Sequence, residues 1–141
     1  MIQRIQTIWL LLASAAMFAT LKLPFYSGTH PGLLPPYSAV VQTLNATDNF
    51  GTLVLTSLLG TGIFMSIFLF KNRMLQFRIC IFAILLELVV LFLYYNQIHS
   101  FATGSISWSA LFHPFFIISL FLAARGIYKD EKLIKDSNRL R

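Results

Sequence analysis

Few side chains in this sequence can carry acid–base or metal chemistry, and their positions narrow what that chemistry could be. The 141 residues hold three histidines, five acidic residues and one cysteine. Glu87 is the only acid inside an apolar run, lying eight positions from each end of Ile79 to Tyr95. A charged carboxylate at a bilayer centre costs about 2.5–3.5 kcal/mol on insertion scales, so Glu87 should face other helices or a partner. It reads either as a protonated carboxyl that ties helices together or as a group that handles a proton or ligand. His113 is its natural companion, because imidazole can donate to a carboxylate and both can exchange protons.

Measured from the ends of their apolar runs, Ser14, the Gly60-Thr61-Gly62 trio, Glu87 and His113 lie within about one helical turn of mid-depth. Ser14, Thr61, Glu87 and His113 are therefore expected to share one intramembrane polar layer. The Glu87–His113 pair depends on a fourth helix that starts near Ile106 and is kinked at Pro114. A helix starting at Pro114 would put His113 at the outer surface and leave only about 17 Å before Arg125, too short to span.

No GxSxG, Walker loop, HExxH or CxxC occurs, so no catalytic residue is assigned. His30, His99 and His113 form no matched mid-span pair of the kind a bis-histidine haem uses, and neither a metal nor another cofactor is expected. A lone cysteine excludes an intrachain disulfide, and Cys80 reads as a small buried apolar residue.

The elements that must position these groups follow from composition. Hydrophobic residues make up 57% of the chain and charged residues 11%, against about half and a quarter in a soluble domain, which excludes an ordinary water-soluble fold. Four apolar segments, 5–21, 53–70, 79–95 and 106–124, are each about 25–29 Å long as helices, close to the hydrocarbon thickness of a bilayer. No alternating barrel pattern occurs. The expected fold is all-α, a single membrane domain built as a four-helix transmembrane bundle with a tail at 125–141. Once the spans are subtracted, no second catalytic domain fits. The first segment could be a signal peptide, but Ala13, Ser14 and Ala15 would put the cleavage site inside the run, so a retained anchor is expected.

Ten Lys and Arg residues fall on one side: Arg4, Lys71, Arg73, Arg78 and six in the tail. Lys22 stands alone on the other. That asymmetry puts both termini in the cytoplasm and accounts for the +6 net charge without nucleic acid, which is not an expected partner. The outer 22–52 connection carries Pro24, Pro31, Pro35 and Pro36 among apolar residues and should form an ordered cap. The 96–105 connection reads as a short outer turn between Tyr94, Tyr95 and Trp108. Asn45-Ala46-Thr47 matches a glycosylation sequon and is read as chance, and no internal repeat marks an inverted-repeat transporter.

Small residues at i, i+4 spacing suggest close helix packing: Thr56 with Gly60, Ser57 with Thr61, Gly62 with Ser66, and Ala15 with Ala19. The tail can continue helix four, with Glu131–Lys135 and Lys132–Asp136 at ion-pair spacing. Ile127, Leu133, Ile134 and Leu140 lie on a broad apolar face that either docks or rests at the headgroups.

Both ends of the chain carry motifs: MIQRIQT running into Ile8-Trp9-Leu10-Leu11, and Arg125-Gly126-Ile127-Tyr128-Lys129-Asp130-Glu131-Lys132-Leu133-Ile134 with a closing Asn138-Arg139-Leu140-Arg141. They resemble a family of small four-span membrane proteins, found mainly in bacteroidete bacteria, whose function is unknown. The resemblance implies a bacterial inner (cytoplasmic) membrane and supplies no activity. The expected role is a non-catalytic accessory or stabilising subunit of a larger membrane complex, in contact with membrane lipid and a hetero-oligomeric membrane-protein partner. Phe25, Tyr26, Leu33 and Leu34 outside, and Ile127, Leu133 and Ile134 inside, are the expected partner contacts. The alternative is a proton-linked transport or quinone/lipid-binding element using Glu87 and His113, and a lipid-modifying enzyme is a third reading.

Overall fold

A computed structural model describes residues 2–29, 41–69 and 72–139. The chain is mostly helical: α1 (Ile2–Thr20), α2 (Phe50–Ser66), α3 (Arg73–Ile98) and α4 (Phe112–Arg139) pack in a ring, each helix against its two neighbours. Three strands, β1 (Tyr26–Thr29), β2 (Val41–Leu44) and β3 (Thr103–Ile106), form a small antiparallel sheet in the order β2-β1-β3. Three helical stretches are long and apolar enough to cross a membrane: Phe50–Leu69, Arg73–Ile98 and Trp108–Ile134. Ile5–Thr20 is a shorter apolar helix.

The burial pattern of α3 is the one lipid requires. Gln76, Cys80, Ala83, Glu87, Val90 and Tyr94 are buried, with spacings alternating between four and three residues that draw one narrow stripe. Phe82, Leu85, Leu88 and Phe92 lie exposed on the other faces, where water would disfavour them and hydrocarbon would not. Local capping sets the start of α2. The Asn49 side chain accepts a hydrogen bond from the Gly51 amide, and the Thr52 hydroxyl donates to the carbonyls of Ala46 and Asn49.

The sheet is absent from the all-α expectation. It joins the α1–α2 connection to the α3–α4 connection: Gly28 of β1 pairs with Gly104 of β3, and Tyr26 with both Leu44 and Ile106. A Cβ on Gly28 would run into the Thr103 carbonyl oxygen, and one on Gly104 would lie 2.7 Å from the Gly28 Cα, so the strands meet only because both residues are glycine. Ile106, expected to open the fourth span, is a strand residue, and α4 begins at Phe112 after a 3₁₀ turn at Trp108–Leu111. The helix regains its length at the other end by continuing to Arg139. The expected 96–105 turn is likewise shortened, because α3 runs to Ile98 and Thr103 already belongs to β3.

Candidate functional site

Glu87 sits on the buried stripe of α3 and His113 in the first turn of α4, and Nδ1 of the imidazole lies 2.5 Å from Oε1 of the carboxyl. Their side chains are 0% and 1% exposed. Pro114 falls in that same first turn, where the missing N–H costs no intrahelical bond. The pair survives this late start, contrary to the expectation, because Tyr94 near the end of α3 and Phe25 just before β1 pack on the His113 ring and bury it.

Two aromatic rings roof the pair. Phe25 stacks on Tyr94 with centroids 4.2 Å apart and planes inclined by 11°. Each presents itself to the His113 imidazole in a T-shaped arrangement, at 5.2 and 5.3 Å. Phe25 is held there by backbone. Its N–H donates to the Leu44 carbonyl and its carbonyl accepts from the Ser107 amide, while the Ser109 hydroxyl donates to the Pro24 carbonyl. The sheet region thereby fixes the roof over a pair carried by two helices.

The pair can share a single proton between oxygen and nitrogen without acquiring net charge, whereas a second charge would stand in a medium that solvates it poorly. Glu87 Oε2 has no hydrogen-bond partner among the described residues, and neither does Thr56 Oγ1 or Ser119 Oγ. Of the expected polar layer, the structure joins Glu87 and His113 but not the hydroxyls. Ser14 is buried and donates to the Leu11 carbonyl of its own helix, and Thr61 is exposed and donates to the Ser57 carbonyl. α2 buries the hydroxyls of Thr52, Thr56 and Ser66; Thr52 and Ser66 donate to backbone carbonyls, whereas Thr56, on the same stripe as Leu59, Gly60 and Ile63, has no partner among the described residues.

The sequence as a whole matches one family. A domain of unknown function, DUF4293, matches residues 2–140. The chain belongs to the DUF4293 family. No curated protein matches the sequence. The DUF4293 match covers nearly the whole chain, in keeping with the resemblance to a family of unknown function read from its two ends.

In this DUF4293 chain the packing residues divide by face. Gly60 is buried where a Cβ would meet the Phe18 ring at 3.1 Å, so it lets α1 and α2 approach. Thr56 is buried and Ser57 half-buried, whereas Gly62 and Ala15 are exposed and Ala19 is half-buried. The expected contact residues also divide. Phe25 packs inside the chain on Tyr94, Tyr26 is half-buried with its ring 5.4 Å from Phe101, and Ile127 lies 1% exposed within the core. Leu133 and Ile134 are exposed. Leu33 and Leu34 lie outside the described residues, as do His30, Pro31, Pro35, Pro36, Lys71 and Leu140 and the side chains of Lys135 and Asp136.

A second polar cluster has no counterpart in the sequence reading. Asp130 of α4 is 6% exposed, accepts a 2.7 Å hydrogen bond from Gln6 of α1, and lies 3.8 Å from the Arg73 guanidinium of α3. Gly126 makes room for Gln6, because a Cβ there would meet Gln6 Cγ at 2.8 Å. Gln76 adds a 3.0 Å bond to the Ser66 carbonyl, tying α3 to the end of α2. The spacing of Ala123, Ile127 and Asp130 was the available signal, since i, i+4, i+7 places all three on one helix face. Among the described residues no three His, Cys, Asp or Glu side chains converge as metal ligands would.

Proposed function

We propose that the chain is a four-span protein of the bacterial inner membrane, with both termini in the cytoplasm, that acts without catalysis as an accessory or stabilising subunit of a larger membrane complex. The observation that carries the non-catalytic reading is the closure of the Glu87–His113 pair. Its most capable acid–base groups are fully buried beneath Phe25 and Tyr94 and bind two helices to each other. The 19 residues of α1 amount to about 28 Å, enough to serve as the fourth span. The ten-to-one distribution of Lys and Arg supports the orientation.

A partner on the cytoplasmic side is supported by Leu133 and Ile134. They are exposed on a helix that Asp130 clasps to α1 and α3, and they stand about 32 Å along α4 from Phe112, beyond the roughly 30 Å that hydrocarbon covers. Apolar side chains held in that position suit a protein surface. A crosslinking cysteine at Ile134, in a Cys80→Ser background, is expected to capture a different chain in native membranes, with the same partner co-purifying in mild detergent. A protein that yields no heterologous adduct and purifies alone would remove this reading.

One observation favours a second reading. Glu87 Oε2 is buried without a partner among the described residues, as a carboxyl waiting on a proton or a small ligand would be. On that reading the protein is a proton-linked transport or quinone- or lipid-binding element. Proton flux in liposomes that is lost in Glu87→Gln, with assembly unchanged, would favour it over the subunit.

A further inference from the structure

The outer side of the α2–α3 contact holds a cavity of about 50 Å³, lined without exception by apolar residues and glycine, among them Leu58, Gly62, Ile63, Ile79, Phe82 and Leu86. Leu58, Gly62 and Phe82 on its rim are exposed, so it opens to the outside of the bundle rather than toward Glu87. Gly62 provides the space, for a Cβ there would meet no atom within 4 Å. From Ile79 to Leu86 the groove runs about 10 Å along α3. Arg78 lies one helical turn before Phe82 on the same face, exposed, and makes no ion pair among the described residues, whereas Arg73 is engaged by Asp130.

We propose that this groove and Arg78 together form a binding site for one anionic glycerophospholipid of the surrounding bilayer, with an acyl chain along Gly62 and Phe82 and the phosphate on the Arg78 guanidinium. The chemistry of the two parts matches the two parts of the ligand. A dry, laterally open groove between helices accepts a hydrocarbon chain, and a long cationic side chain one turn away reaches the level of the headgroup. The site is separate from the buried pair and independent of which leaflet it faces.

Purified, delipidated full-length protein, exposed to equimolar dioleoyl phosphatidylglycerol and dioleoyl phosphatidylcholine and read by native mass spectrometry, tests this. The wild type should retain one phosphatidylglycerol per chain, with a preference of about fivefold, the worth of one arginine beside an anionic headgroup. Arg78→Gln, at an exposed position, should abolish the preference while leaving lipid bound. Gly62→Leu should lower retention of both lipids several-fold with the helical circular dichroism unchanged. Equal retention of the two lipids by the wild type, or a preference that survives Arg78→Gln, would overturn the proposal. So would a disulfide-linked dimer of Gly62→Cys in a Cys80→Ser background, which would place a second copy of the chain in the groove.

Discussion

Replacing His113 by leucine should destabilise the protein far more than replacing Glu87 by glutamine. In the first variant both carboxyl oxygens of Glu87 are stranded, because Oε1 loses its 2.5 Å contact and Oε2 has no partner among the described residues. A carboxylate left buried and ionised costs about 3–5 kcal/mol. If it takes up a proton the cost falls to about 1–3 kcal/mol, that of an unsatisfied polar group. Glu87→Gln keeps the shape and a hydrogen-bonding group opposite Nδ1. It should lose about 0.6 kcal/mol, the average for an interhelical hydrogen bond in a membrane protein. The double variant Glu87→Leu, His113→Leu removes both polar partners at once and should return close to wild type, so the costs of Glu87→Leu and of His113→Leu, each measured alone, should be strongly non-additive. Titration of the folded protein with sodium dodecyl sulfate in mixed micelles, followed through the two tryptophans, reads these differences directly. If His113→Leu costs under about 0.5 kcal/mol, or if the double variant is the simple sum of its singles, the pair is not the interhelical bond described here.

Three other outcomes are expected. Reporter fusions after Asn72 and after Gln97 should fall in opposite compartments, and matching compartments would refute the four-span topology. Gly28→Ala and Gly104→Ala should each cost about 1–3 kcal/mol, because the added Cβ meets backbone across the strand pair, whereas Gly62→Ala should melt like the wild type. Thermal unfolding in detergent checks all three. Asp130→Ala should cost about 1–3 kcal/mol by stranding Gln6 and Arg73, while Leu133→Ala, at an exposed position, should stay within about 0.5 kcal/mol, and the same titration separates them.

The four helices were legible because hydrocarbon demands long apolar runs, and 5–21, 53–70 and 79–95 each lie largely within an observed helix. The sheet was not, since strands such as Tyr-Ser-Gly-Thr and Thr-Gly-Ser-Ile pair through backbone and a glycine contact and carry no alternating pattern. Counting depth from the run ends found Glu87 and His113 but also Thr61. Depth fixes height along a helix and not rotation about it, and one residue past buried Gly60 the side chain has turned outward by about 100°. Asp130 was missed for a related reason. The tail was read by the sign of its charges, which orients a chain in a membrane, while its burial depends on the face it shares with Ala123 and Ile127.

The roof over the buried pair ties the α1–α2 connection to the buried interior of the bundle. Phe25 reaches His113 only if β1 holds its register, because successive strand residues face opposite sides and a slip of one position would turn Phe25 away and bring Tyr26 in. Two features oppose that slip. Gly28 faces Gly104 where no other residue pair would fit, and a Cβ on either would also press on the Tyr26 ring. The hydrogen bonds of Phe25 to Leu44 and Ser107 then fasten it from both flanking segments. A connection whose composition suggested a cap is therefore part of the site, since the same glycine contact that lets three short strands pair also decides which aromatic ring excludes water from Glu87 and His113.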